Sequence, residues 1–103
     1  MRPDAWFVYR LGERVLVGLL EYDRGTERGD GRWRDKLIAY DALFAGPRLR
    51  ETTGYVNARV LVVCPAERRR DRLADLIGSH APEGLAARFW LAAQTVLDRP
   101  DLA

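Results

Sequence analysis

A chain of 103 residues, 48% hydrophobic and 31% charged, is sized for one domain, residues 1–103, with a single modest core and no room for a second. Its apolar runs fall well short of the roughly 18 residues of a membrane span, and MRPDAWFVYR lacks an apolar run behind a basic flank, so the expectation is a cytoplasmic protein with no membrane partner. The formal charge is only +2, from 17 basic and 15 acidic side chains, which leaves local asymmetry to decide partners, and a single cysteine excludes an internal disulfide and a cysteine-built zinc site.

The segment AWFVYRL (5–11) is rich in aromatic and β-branched residues, Gly12-Glu13 offers a turn, and VLVGLLEYD (15–23) reads as a second strand, so the two are expected to form an antiparallel hairpin. Side chains two apart on a strand share a face, which puts Glu21 and Asp23 on one side and Leu20 and Tyr22 on the other. Two neighbouring carboxylates repel unless something positive lies between them. A divalent cation such as Mg2+ or Mn2+ would serve, since hard cations take carboxylate oxygen; arginine pairing or simple solvation would serve as well.

RGTERGDG holds three glycines and no apolar side chain and is expected to be a loop. From Arg32 the spacing changes. Trp33, Leu37, Tyr40 and Phe44 recur at helical intervals until Gly46-Pro47, which predicts a helix of about 14 residues. Thr26 and Glu27, in the loop ahead of it, are candidates to cap that helix or order the acids. Lys36 is the only lysine beside 16 arginines. A coding bias toward arginine accounts for that, and so does a tight site that needs a compact ammonium in place of a planar guanidinium. Tyr40 lies one turn beyond it, placed either to hydrogen-bond a phosphate or orient the lysine, or to pack beside Trp33 and Leu37.

After a polar stretch containing Thr52, Thr53 and Gly54, ARVLVVC (58–64) is continuously apolar, the pattern of a central strand covered on both faces, with Cys64 a buried, inert thiol. Pro65 suits the first position of a second helix running to about Ile77, with Leu73, Leu76 and Ile77 inward and Gly78 as its stop. Arg68, Arg69, Arg70 and Arg72 on this helix are candidates to contact DNA phosphates in a salt-dependent way, against a solvated face in which Glu67, Asp71 and Asp75 pair with them. Residues 79–85 are expected to be a loop carrying His80, ARFWLAA (87–93) a fourth strand, and TVLDRP a short terminal helix. Trp6, Trp33 and Trp90 fall on element faces as core or interface residues. The order gives an α/β domain whose mixed sheet, the N-terminal hairpin plus two further strands, is flanked by helices, with right-handed crossovers.

Pro3-Asp4 before the first strand, Glu21-x-Asp23 at the end of the second, and Lys36 together resemble the signature of the PD-(D/E)xK nuclease superfamily, the restriction-endonuclease-like fold. What that resemblance implies is a metal site of Asp4, Glu21 and Asp23 at the open end of the hairpin, a lysine beside the attacking water, and a magnesium- or manganese-dependent cut in DNA. Asp23 stands where the superfamily's lysine would be, and Lys36 on the following helix is a relocation that the superfamily tolerates. Over nearly the whole chain, RPDAWF, LLEYDRGTE, KLIAY, VLVVCPAERRRDRL and FWLAAQTVLDRP resemble the C-terminal domain of the bacterial replication-relaxation family. The likeness implies a DNA-associated domain of a plasmid or mobile-element protein, either a catalytic module with Asp4, Glu21, Asp23 and Lys36 as its residues or a non-catalytic DNA-binding or protein-docking module. It also implies DNA and an upstream winged-helix domain or partner protein as partners; a homodimer is a further option that the sequence leaves open. The chain itself would then be a fragment or a stand-alone form.

Overall fold

Strand β1 (Ala5–Leu11) and strand β2 (Arg14–Tyr22) pair antiparallel from Ala5 opposite Leu20 to Leu11 opposite Arg14, joined by two residues. Gly12 takes φ +61° while Glu13 does not turn positive, which is the backbone of a type II′ hairpin turn. The computed structural model describes residues 3–24, 31–82 and 84–97. Helix α1 (Gly31–Ala45) crosses back over the sheet, helix α2 (Arg48–Thr53) follows Pro47, and strand β3 (Arg59–Cys64) lies parallel to β2. Helix α3 (Glu67–His80) returns the chain to strand β4 (Phe89–Ala93), parallel to β3, and a short helix α4 (Gln94–Leu97) follows. Strand order in the sheet is β1-β2-β3-β4, so the domain is α/β with a mixed four-stranded sheet, as expected.

The pleat sorts the side chains into two unequal faces. Val17, Leu19, Val60, Val62, Cys64 and Phe89 lie on the helix side and join Trp33, Leu37 and Tyr40 of α1 and Leu73, Leu76 and Ile77 of α3 in one core. Phe89 meets the rings of both Trp33 and Tyr40 edge-on, at centroid distances of 6.4 and 5.6 Å. The other face carries Phe7, Tyr9, Leu16, Leu20, Tyr22, Leu61, Val63 and Trp90, exposed or half-buried. Expectation and structure part company here. The run VLVV is apolar throughout, yet β3 alternates half-buried and buried along its length, because the helices cover only one side of it.

Three further differences have local causes. Helix α2 lies in the stretch read as polar: Leu49 anchors it in the core, Thr53 Oγ1 donates to the Leu49 carbonyl at 2.7 Å, and Gly54 closes it at φ +82° with its N–H on the Arg50 carbonyl. Helix α3 begins at Glu67, two residues beyond Pro65, and runs through Gly78 to His80. Gly78 is exposed with open space around its α-carbon, so it costs only its weak propensity, while Leu76 and Ile77 hold the last turn and Pro82 supplies the stop. The segment before β4 is a 3-10 turn, Ala86–Arg88, in place of two strand residues.

On the open face the tip of the Phe7 ring lies over Gly18, its partner across the hairpin, where an added Cβ would clash with Cζ and its two neighbouring ring carbons. Gly18→Ala is expected to swing that ring into water and lower stability by about 1–2 kcal/mol, whereas the same change in a Phe7→Ala background costs nothing or is favourable. Urea unfolding of the four proteins checks this as a double-mutant cycle.

Candidate functional site

The period-2 geometry of β2 carries Glu21 and, just past the strand, Asp23 onto the helix side, in line with Val17 and Leu19, and each is only 2% exposed. Both sit at the carboxyl end of the parallel strands, the edge at which open α/β sheets form their sites. Buried carboxylates need partners, and these two take theirs from different helices.

Glu21 is held by α1. Lys36 Nζ lies 3.2 Å from its Oε2, and the Tyr40 hydroxyl donates to Oε1 at 2.7 Å. The helical period explains the pairing: Trp33, Leu37 and Tyr40 form the buried stripe, and Lys36 flanks it with its stem inside and its ammonium reaching the rim. That ammonium also stands 4.8 Å from the centre of the Trp33 ring, a cation–π contact that fixes its direction. The Tyr40 phenol is pushed far above its ordinary range, first by burial, then by donating to Glu21, then by the negative charges of Glu21 and Asp4.

Asp23 is held mainly by α3. Arg69 donates through Nε to Oδ2 at 2.6 Å and through Nη2 to Oδ1 at 3.1 Å, a two-pronged fork, and Trp33 Nε1 of α1 points at Oδ1 from 3.4 Å. Of the three answers to neighbouring acids, arginine is the one found at Asp23. Cys64, with no exposed surface, lies on the same side, and its thiol is raised to about 11 by burial and by the Asp23 charge, with Arg69 and Arg70 pulling back; the expectation of an inert buried thiol agrees with this.

Asp4 is exposed at the start of β1. Its Oδ2 accepts the Tyr22 backbone N–H at 2.8 Å, while its own N–H donates to the Leu20 carbonyl at 2.9 Å. It thus joins the same end of the hairpin, and its charge reaches the Tyr40 phenol. Glu21, Lys36 and Tyr40 are thus bonded to one another, Asp4 is bonded to the β2 backbone on either side of Glu21, and Asp23 pairs with α3. Among the described residues no three His, Cys, Asp or Glu side chains come together in a group able to hold a metal ion. Thr26 and Glu27 lie outside the described residues. A cleft of about 600 Å3 opens elsewhere, lined by Trp6, Leu43, Arg48 and Leu49 among others, and none of the acids lines it.

The arginine cluster divides. Arg68 and Arg72 are exposed, one turn apart on the outside of α3. Arg70 is bound to Asp71 at 3.0 Å. Arg69, also named for DNA contact, is half-buried and engaged with Asp23 through its fork of hydrogen bonds. Its spacing from Leu73 and Leu76, four and seven residues, was the available signal that it shares their face. His80, read as a loop residue, ends α3, where its Nε2 lies 3.4 Å from Arg34 of α1.

Arg69→Ala is expected to lower stability by about 3–5 kcal/mol because Asp23 then stays buried without its cation, and Arg69→Met combined with Asp23→Asn is expected to cost less than the single change; urea midpoints at constant slope measure both. Tyr40→Phe is expected to cost about 1.5–3 kcal/mol at neutral pH, the value of a hydrogen bond to a charged group. Since the unfolded chain gives up this phenolic proton well before the folded one, the contribution of Tyr40 to native stability is full below about pH 10 and falls above it. The gap between wild type and Tyr40→Phe therefore narrows as pH rises past that point, as urea midpoints across the alkaline range will record.

No family model matches the chain, and no solved structure matches it. An 80-residue stretch is similar, at 35% identity, to the bifunctional enzyme IspD/IspF of Gluconobacter oxydans; the match covers 68% of this chain and 21% of that protein, so the chain spans about a fifth of the length of the curated relative it matches.

Proposed function

We propose that this domain is a DNA-associated module of the replication-relaxation kind, on a nuclease-like α/β scaffold, in which the strand-end acids fasten the helices to the sheet and do not turn over substrate. The observation that carries the non-catalytic part is the division of the two carboxylates between helices: Lys36 and Tyr40 of α1 occupy Glu21, and Arg69 of α3 occupies Asp23. Each carboxylate already has a cation that offsets its charge, Lys36 at Glu21 and Arg69 at Asp23, and a metal ion bound there would be set against those positive charges. DNA contact would fall to Arg68 and Arg72, whose exposed guanidiniums lie on the helix face turned away from the core, each supplying a weak, salt-screened attraction to phosphate.

A second reading, a magnesium- or manganese-dependent nuclease, is favoured by the Lys36–Glu21 pair at the end of β2, with Asp4 bonded to the backbone of the neighbouring Tyr22. Asp4 and Glu21 would hold the ion, and two carboxylates with water suffice for magnesium. Bound there, the ion would lower the pKa of a water and offset charge on a phosphodiester. Lys36, released from Glu21, would stand beside that charge.

Fluorescence anisotropy of a labelled duplex titrated with the chain separates these readings from a protein-docking module, and a nicking assay on supercoiled plasmid separates them from each other. The first reading expects binding at low salt that weakens as salt rises, a salt slope reduced by about 2 in the Arg68→Ala, Arg72→Ala double variant, and no nicking with either metal. Metal-dependent nicking abolished in Glu21→Gln would replace it with the second. Absence of binding at low salt would remove DNA from both.

A further inference from the structure

The face of the sheet opposite the helices is the largest feature that the acid cluster leaves unexplained. Phe7, Tyr9, Tyr22 and Trp90 on this face are 38%, 57%, 47% and 52% exposed, and Leu11 is 66% exposed. An aromatic side chain carries about 150–250 Å2, so these four leave roughly 400 Å2 of ring in water. With Leu11 and the half-buried leucines between the rings, the continuous apolar area is on the order of 700 Å2, above what a monomer ordinarily exposes. The register places no acidic side chain anywhere on this face, and its only charges are Arg14 and Arg59. Strands β2, β3 and β4 run parallel, and parallel strands are as a rule covered on both sides.

We infer that this face is the interface of a homodimer, in which two copies pack sheet against sheet about a twofold axis through the outer sides of β1 to β4. The area decides the occupant. A stable interface takes about 800 Å2 from each partner, and this face offers nearly that without any rearrangement. The side chains that line it belong to the four strands, and a second sheet packed about 10 Å away is one surface that covers such a face. Its composition, aromatic rings with arginine and no carboxylate, is that of an interface core. A twofold arrangement is isologous, so the same rings and arginines face one another from both copies, and arginine stacks on aromatic faces in such a setting. The helix layer carries Glu21, Asp23, Lys36 and the α3 arginines on the opposite side, so a dimer would present two such layers outward. The inference does not depend on the DNA reading.

Sedimentation velocity of the full chain across a range of concentrations tests it. The expected result is twice the monomer mass, with dissociation at concentrations on the order of micromolar. Trp90→Lys and Tyr9→Lys each remove an aromatic ring and bring an ammonium into the apolar interface, and each is expected to weaken the dimer roughly thirtyfold or more, with unchanged far-ultraviolet circular dichroism. Ile38→Lys supplies the control, because Ile38 is 70% exposed on the helix layer and its replacement is expected to leave the mass unchanged. A wild-type chain that remains monomeric at the highest concentration would overturn the inference. So would dissociation by Ile38→Lys equal to that by Trp90→Lys, or a dimer indifferent to both sheet-face substitutions.

Discussion

Two buried negative charges two residues apart at the end of β2 are the constraint around which the helix layer is arranged. Neither carboxylate could stay ionised out of water alone, since desolvating an ion costs several kcal/mol. Each is met by a cation anchored on a different helix, Lys36 on α1 and Arg69 on α3. Trp33 bridges the pair: its indole N–H faces Asp23, and its ring lies under the Lys36 ammonium. The sheet end, α1 and α3 are thereby fixed relative to one another by directional contacts, where apolar packing alone would let the helices slide. Such a network ranks low as a source of net stability and high as a source of one defined arrangement.

The fold was largely legible in the sequence, and the reasons are specific. Hydrophobic period, turn chemistry and helix punctuation are local signals, and AWFVYRL, the Gly12-Glu13 turn and the Trp33-Leu37-Tyr40 spacing carried them plainly. Misreadings arose where a local signal competes with a tertiary one. Gly78 has the sequence look of a stop, yet Leu76 and Ile77 bury the turn that contains it. The apolar run of β3 cannot say whether one face or two are covered, because half-buried Leu61 and Val63 look the same in sequence as buried Val60 and Val62. Helix α2 is too short for a periodic signature, and one buried leucine defines it.

The acids were legible as a pair and as facing one way; their partners were less so. Lys36 stood out by its rarity, and its contact with Glu21 follows from a helix passing over the strand that precedes it. Arg69 did not stand out, because in ERRRDR every arginine looks alike until the helix is set against the sheet. Charge runs conceal their inward member, and only its spacing from Leu73 and Leu76 distinguishes it. The family resemblance pointed toward a metal held by three acids, while the geometry gives Glu21 to α1, Asp23 to α3 and Asp4 to the backbone of β2.

The sheet is laid down in the same order as the chain, β1 to β4, and this has a consequence for synthesis on the ribosome. Each new strand adds to the edge just completed, so no earlier strand must be displaced to admit a later one. Glu21 meets Lys36 across only 15 positions, whereas Asp23 waits for a residue 46 positions on. A nascent chain can therefore seat its first carboxylate as soon as α1 forms, and the second stays hydrated until α3 has emerged. That wait makes docking of the last helix and the drying of the sheet end a single late event.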